Sequence, residues 1–296
     1  MAGPPVRTIL KALGLRPAKS RGQNFLKDEG VIRRLVKEIL AAAEPVGRRV
    51  LEIGPGLGAL TWPLLAAGAE ILAVELDRGL AENLAAAGSA GLTVIHRDIL
   101  TVDPAEFADP RPRFLCGNLP YNIAGPALFW FLRHRRAFSG ALVMLQKEMA
   151  DRLTAGPGTR AYGRLAVALG LWCRIDRVLA VPPAAFHPRP KVAGAVVRLR
   201  PVPPLEEPPL SAEALGRFTQ VAFSARRQTL LNNLARVYDR PRAAEVLAGI
   251  GLAPGLRAEQ LSPPALAALA LALEPARSAA TALKRGRAYV PAKLTL

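Results

Sequence analysis

Apolar residues return every three or four positions from Val31 to Leu40, which predicts an amphipathic helix. Beyond it the pattern changes. Short apolar runs at 48–54, 70–77, 92–98, 114–121 and 141–146 read as buried strands, and helical patterns at 59–67, 79–87, 125–132, 147–153 and 162–169 lie between them or after them. Buried strands alternating with helices predict a parallel α/β sheet. Two further strand-like runs, 173–182 and 194–201, are separated by a proline-rich loop, so an antiparallel far edge is expected.

The stretch 201–210 holds five prolines in ten residues and fits neither helix nor central strand, so a boundary is placed there. The chain beyond this boundary carries only helical patterns: one capped by Ser211, one through Leu230, Leu231, Leu234 and Val237, one over 243–250, and one from Pro264 to Leu273 behind a Ser262-Pro263 start. The expected organisation is an α/β domain over 1–200 with a basic N-terminal arm, a small all-helical domain over 211–275, and a basic tail over 276–296.

Charge narrows the partners. Forty Lys+Arg against 23 Asp+Glu give +17, with six basic residues before the first acid, so a polyanion is the natural ligand. The longest apolar run near the C-terminus is too short for a bilayer, and the N-terminus lacks a secretory pattern, so a soluble cytoplasmic protein is expected, without a membrane partner. Cys116 and Cys173 form no Cys-x-x-Cys pair, and His96, His134 and His187 form no metal-binding set, so no metal is expected.

LEIGPGLGALT (51–61) runs strand, glycine turn, helix, with Gly54, Gly56 and Gly58 at alternate positions. Glycines let a backbone approach a ligand and take up positive φ. Glu75, at the end of the next strand, can accept from a ribose diol, and Asp98 ends the third strand. The Gly-x-Gly-x-Gly spacing differs from the Gly-x-Gly-x-x-Gly of dinucleotide folds and resembles S-adenosylmethionine-dependent methyltransferases of the Rossmann-like class. That resemblance implies Gly54 and Gly56 against the methionine part of the donor, Glu75 on the ribose, Asp98 on the adenine amine, and Leu76 and Ile99 beside the adenine ring.

GNLPYNI (117–123) comes directly after a strand-like run. An amine on adenine is a poor nucleophile because its lone pair is delocalised into the ring. Two acceptors on its two N–H bonds favour a pyramidal nitrogen. The Asn118 side-chain oxygen and the Leu119 carbonyl can supply them, with Pro120 restricting Leu119 to extended geometry and Tyr121 placed to stack on the base.

In order along the chain, GQNFL (22–26), LEIGPGLGALT, ELD (75–77), GNLPYNI, LQKEMADRL (145–153), YGRL (162–165), AFHPRPKV (185–192) and FSARRQTLLNNL (223–234) resemble the ribosomal RNA adenine dimethyltransferases of the KsgA/RsmA family. The resemblance implies a class I methyltransferase domain with a mostly parallel seven-stranded sheet and a helical C-terminal domain. It implies S-adenosylmethionine as methyl donor and N6,N6-dimethylation of two adjacent adenosines in a hairpin near the 3′ end of small-subunit rRNA, by a monomer acting on the 30S subunit. It adds Gln23, Asn24 and Leu26 to the donor site beside Asn118, and Phe186 to the face of the base opposite Tyr121. Lys147, Arg226 and Arg227 are the residues chosen for RNA contact. A large-subunit rRNA dimethyltransferase conferring antibiotic resistance, and a non-enzymatic assembly factor on the same fold, stand as alternatives. Loop 155–161 reads equally as an ordered lid or a mobile entry.

Overall fold

The structure is a computed structural model that describes residues 6–15, 17, 23–120, 122–203 and 210–273. Tyr121, most of the proline-rich stretch and the basic tail lie outside the described residues. Seven strands form one sheet: β2 (Arg49–Ile53), β3 (Glu70–Glu75), β4 (Leu92–His96), β5 (Arg113–Asn118), β6 (Phe138–Gln146), β7 (Cys173–Val181) and β9 (Gly194–Pro201), in the order β4-β3-β2-β5-β6-β9-β7. The first five are parallel, and β9 runs antiparallel to β6. β9 lies between β6 and the edge strand β7.

Parallel pairing needs a crossover after each strand; the link from β4 to β5 has only the 3₁₀ turns Ile99–Thr101 and Pro104–Glu106, and helices supply the other three. Helices α3 (Thr61–Ala66), α4 (Arg78–Ala86) and α5 (Ala124–Arg133) carry these connections, while α2 (Glu29–Ala43), which precedes β2, packs on β5 and β6. The start of α2 is set by Asp28, whose carboxylate accepts from the Val31 amide; Leu35, Ile39 and Ala43 fall on its buried stripe. Asp77 caps α4 in the same way.

Two other short strands carry no periodicity that would mark them in the sequence. β1 (Phe25–Leu26) and β8 (Phe186–His187) pair antiparallel, Leu26 opposite Phe186 and Phe25 opposite His187. Ahead of them, α1 (Val6–Ala12) buries Leu10 against Phe25 and Leu80.

The chain divides into two compact units. One comprises residues 1–150 and 176–201; the other comprises 151–175 and the chain from Val202 onward. The segment 151–175, which the sequence assigns to the first domain, thus belongs with the C-terminal helices. The physical reason is helix packing: α7 (Arg164–Gly170), nearly all buried, lies against α8 (Ala212–Ala222) and α11 (Pro263–Leu273). Helices α9 (Leu230–Leu234) and α10 (Arg240–Gly249) complete that unit. Among the described residues no helix is long and apolar enough to cross a membrane.

Candidate active site

Ile53, Val74, Gly117 and Met144 lie at the C-terminal ends of four adjacent strands, held level by the pairs Ile53–Val74, Ile53–Gly117 and Asn118–Met144. In an open α/β sheet this edge is where ligands bind. An open cleft lies there, about 1290 Å³ with the solvent at its mouth included.

The cleft collects most of the donor-site residues expected from the sequence: Gln23, Asn24, Leu26, Gly54, Gly56, Glu75, Leu76, Asp98, Ile99 and Asn118 all line it. Gly58 does not. Its φ is +82°, and a Cβ there would fall 2.2 Å from the Trp62 indole nitrogen, so this glycine admits Trp62, which donates to the Leu57 carbonyl. Gly56, at φ +60°, touches the ring of Phe25 instead, with only 3.2 Å for an added Cβ. The three glycines therefore do different work: the first two shape the cleft and the third packs the turn.

Glu75 is buried, and its two carboxylate oxygens accept from the Gly56 and Asp77 amides at 3.1 and 2.9 Å. Burial pushes its pKa up, against the opposing pull of these two hydrogen bonds. A carboxylate has about four acceptor positions, so capacity for a diol remains after two are used. Asp98 is half-buried; one oxygen accepts from the Leu100 amide, and the other meets no donor among the described residues. Leu76 is a large apolar side chain left 48% exposed at the rim, opposite in character to the fully buried Ile99. An exposed leucine in a cleft lined by buried carboxylates is what a planar apolar ring would cover.

Sequence reasoning missed Glu52. This side chain, 2% exposed, lines the cleft and accepts from the Thr61 hydroxyl at 2.7 Å. Burial raises its pKa to about 7; the Thr61 hydrogen bond works against that, and the nearby Glu75 charge adds to it. The available signal was a carboxylate in the middle of an otherwise apolar run, between Leu51 and Ile53.

Asn118 ends β5, and its side-chain nitrogen donates to the Asn24 carbonyl at 2.9 Å. A carbonyl oxygen can only accept, so this bond fixes which end of the amide is nitrogen. Asn118 Oδ1 and the Leu119 carbonyl are left with no donor among the described residues, whereas the Pro120 carbonyl accepts from Ile123 and Ala124. Leu119 is itself held by its amide bond to the Met144 carbonyl. Pro120 lines the cleft beside them, and Phe186, 5% exposed, closes one wall from β8. Tyr121 lies outside the described residues. Lys147 is exposed at the end of β6, its amide bonded to the Ala193 carbonyl; Arg226 and Arg227 are exposed in the other unit.

A family model described as Ribosomal RNA adenine dimethylase matches residues 15–270. The chain belongs to this family. Among its relatives, Ribosomal RNA small subunit methyltransferase A of Xanthomonas axonopodis pv. citri is 43% identical over 247 residues, covering 82% of this chain and 91% of the relative. The enzyme of that name from Escherichia coli is 42% identical over 248 residues, covering 82% and 88%. Two solved structures are similar: a dimethyladenosine transferase from Plasmodium falciparum (TM-score 0.68, 25% identity, 83% of this chain and 95% of that one) and the 23S rRNA methyltransferase ErmE (TM-score 0.61, 29% identity, 85% and 100%). A family member of this kind is a class I methyltransferase, and the cleft's glycine turn, its acid-ended strands and the oriented Asn118 fit that membership.

Proposed function

We propose that the protein uses S-adenosylmethionine to dimethylate N6 of two adjacent adenosines in a hairpin near the 3′ end of small-subunit rRNA. The observation that carries this reading is the pair of unengaged acceptors, Asn118 Oδ1 and the Leu119 carbonyl, on consecutive residues that line the cleft and are each held by a hydrogen bond to a neighbouring element. When bound, the donor supplies a methyl group on a sulfonium, which needs little activation.

The rest falls to the protein's own side chains. Glu75 and Asp98 have the acceptor capacity for ribose hydroxyls and an adenine amine, Gly54 and Gly56 leave space for the methionine part, and Gln23, Asn24 and Leu26 border it. Asn118 Oδ1 and the Leu119 carbonyl accept the two N–H hydrogens of the target amine and direct its lone pair away from the ring. Phe186 backs the base on one face; for the other face Tyr121 is assigned from the sequence. Preorganised acceptors of this kind can be worth roughly 3 kcal/mol each in a transition state. After transfer the amine carries an extra proton of low affinity, which water removes without a dedicated base.

The small-subunit reading draws support from relatives of that name at 42–43% identity, against 29% for the large-subunit enzyme of similar fold. The proposed partner is therefore the 30S subunit during assembly in the cytoplasm, met by a monomer. Incubation of the protein with labelled donor and undermethylated small subunits should give N6,N6-dimethyladenosine on digestion of the RNA; label confined to large-subunit RNA would overturn the substrate assignment.

A further inference from the structure

The helical unit is strongly basic. Its described residues carry eleven arginines and no lysine against five carboxylates, a choice that suits bidentate phosphate contacts. Among the described residues Arg160, Arg226, Arg227, Arg236 and Arg240 form no ion pair, and all five are exposed.

The loops that bear them are nevertheless braced. Asn233, 1% exposed, donates to the Ala222 and Ala225 carbonyls and accepts from the Ser224 hydroxyl, which ties down the loop holding Arg226 and Arg227. The outer side of that loop is linked too: Arg236 donates to the Ser224 hydroxyl, Arg240 to Asn232, and Asn232 to Gln228. Loop 155–161 is pinned at two points, by the Gly158 amide on the Glu259 carbonyl at 2.7 Å and by the buried Tyr162, whose hydroxyl donates to the Leu261 carbonyl at 2.9 Å. Arg226 joins the two loops, one guanidinium nitrogen donating to the Tyr162 carbonyl at 3.0 Å.

We infer that loop 155–161 is part of the RNA-binding surface: Arg160 and Arg227 take phosphates of the rRNA backbone, and Arg226 is the positioning residue that locks their two loops together. This rests on the small-subunit rRNA substrate proposed above. Because the loops that carry them are already braced, these unneutralised arginines order only their side chains on meeting a polyanion, whereas arginines on free loops would need the backbone ordered as well. Of the two readings the sequence left open for 155–161, the bonding supports an ordered loop, held at its middle by Gly158 and just past its end by Tyr162.

The test measures binding of undermethylated small subunits from 50 to 300 mM KCl, with amide exchange of the free protein alongside. R160A should weaken binding three- to tenfold at the middle of that range and lower the steepness of log affinity against log salt by about 0.7–0.9, one phosphate contact. R226A should speed exchange of the Gly158 amide at least about tenfold; R226K, which can still donate one hydrogen bond to Tyr162, should restore most of that protection. R160A and R226A should combine to less than the product of their separate effects. Wild-type affinity and salt slope in R160A overturn the phosphate role, and unchanged Gly158 exchange in R226A overturns the brace. Wild-type protein that binds small subunits without salt dependence would instead reject the substrate reading from which the inference starts.

Discussion

The orientation of Asn118 is decided from behind, by the carbonyl of a residue 94 positions earlier in the chain. Asn118→Ala should therefore cut kcat by about a hundredfold while changing donor affinity far less, as calorimetry and single-turnover rates can show together. Equal losses in both would make Asn118 a donor-binding group alone. Glu52 gives a pH prediction. Its pKa rises from 4.5 to about 7 on folding, so between those values the folded state holds a proton that the unfolded state has released. Stability should thus fall as pH rises from about 5 to 7 and level off above, by roughly 3 kcal/mol if Glu52 acted alone. Glu52→Gln should flatten that slope and be the more stable form at pH 8 in urea titrations; a slope unchanged by the substitution would refute the assignment. Glu75 and Asn118 were legible in the sequence because each ends a recognisable strand. Glu52 was not, because in a strand buried on both faces alternation gives no clue to which positions face a cleft.

Among the elements, β2 leaves no room for a side chain on β5 just before Asn118. A Cβ on Gly117 would lie 2.5 Å from the Ile53 carbonyl oxygen, a backbone atom that cannot move aside without disturbing the ladder. Gly117→Ala should destabilise the fold by about 2–3 kcal/mol, within the range of overpacked cores, and displace Asn118, its neighbour in the chain. Gly54→Ala is the contrast: the added methyl meets nothing within 4 Å, so the cost is the left-handed φ of +63°, about 1 kcal/mol, with weakened donor binding as the readout. Thermal melts of the two variants should therefore rank Gly117→Ala well below Gly54→Ala, and the reverse order would mean that the strands can part. The parallel strands and their helices were readable because each spans at least five residues, the strands as apolar runs and the helices as periodic patterns. The β1–β8 pair was not, since two-residue strands have no period, and neither was the transfer of 151–175 to the helical unit, which depends on the buried face of α7 meeting helices far along the chain.

For the molecule as a whole, a charge of +17 implies binding dominated by phosphate neutralisation. Initial rates at subsaturating small subunits should fall by at least about tenfold between 50 and 200 mM KCl if three or more phosphates are contacted, with the loss in KM rather than kcat. A rate insensitive to salt would assign the charge to solubility. The pairing of Leu26 with Phe186 has a consequence in time. The cleft wall is closed by residues 160 positions apart, counting from 26 to 186, and ribosomes add about 5–20 residues per second. A nascent chain that has already emerged through β6 would still lack Phe186 and β9 for several seconds, so an unfinished copy cannot assemble the complete pocket. The candidate site is in this way kept incomplete until Phe186 and β9 have left the ribosome that makes them.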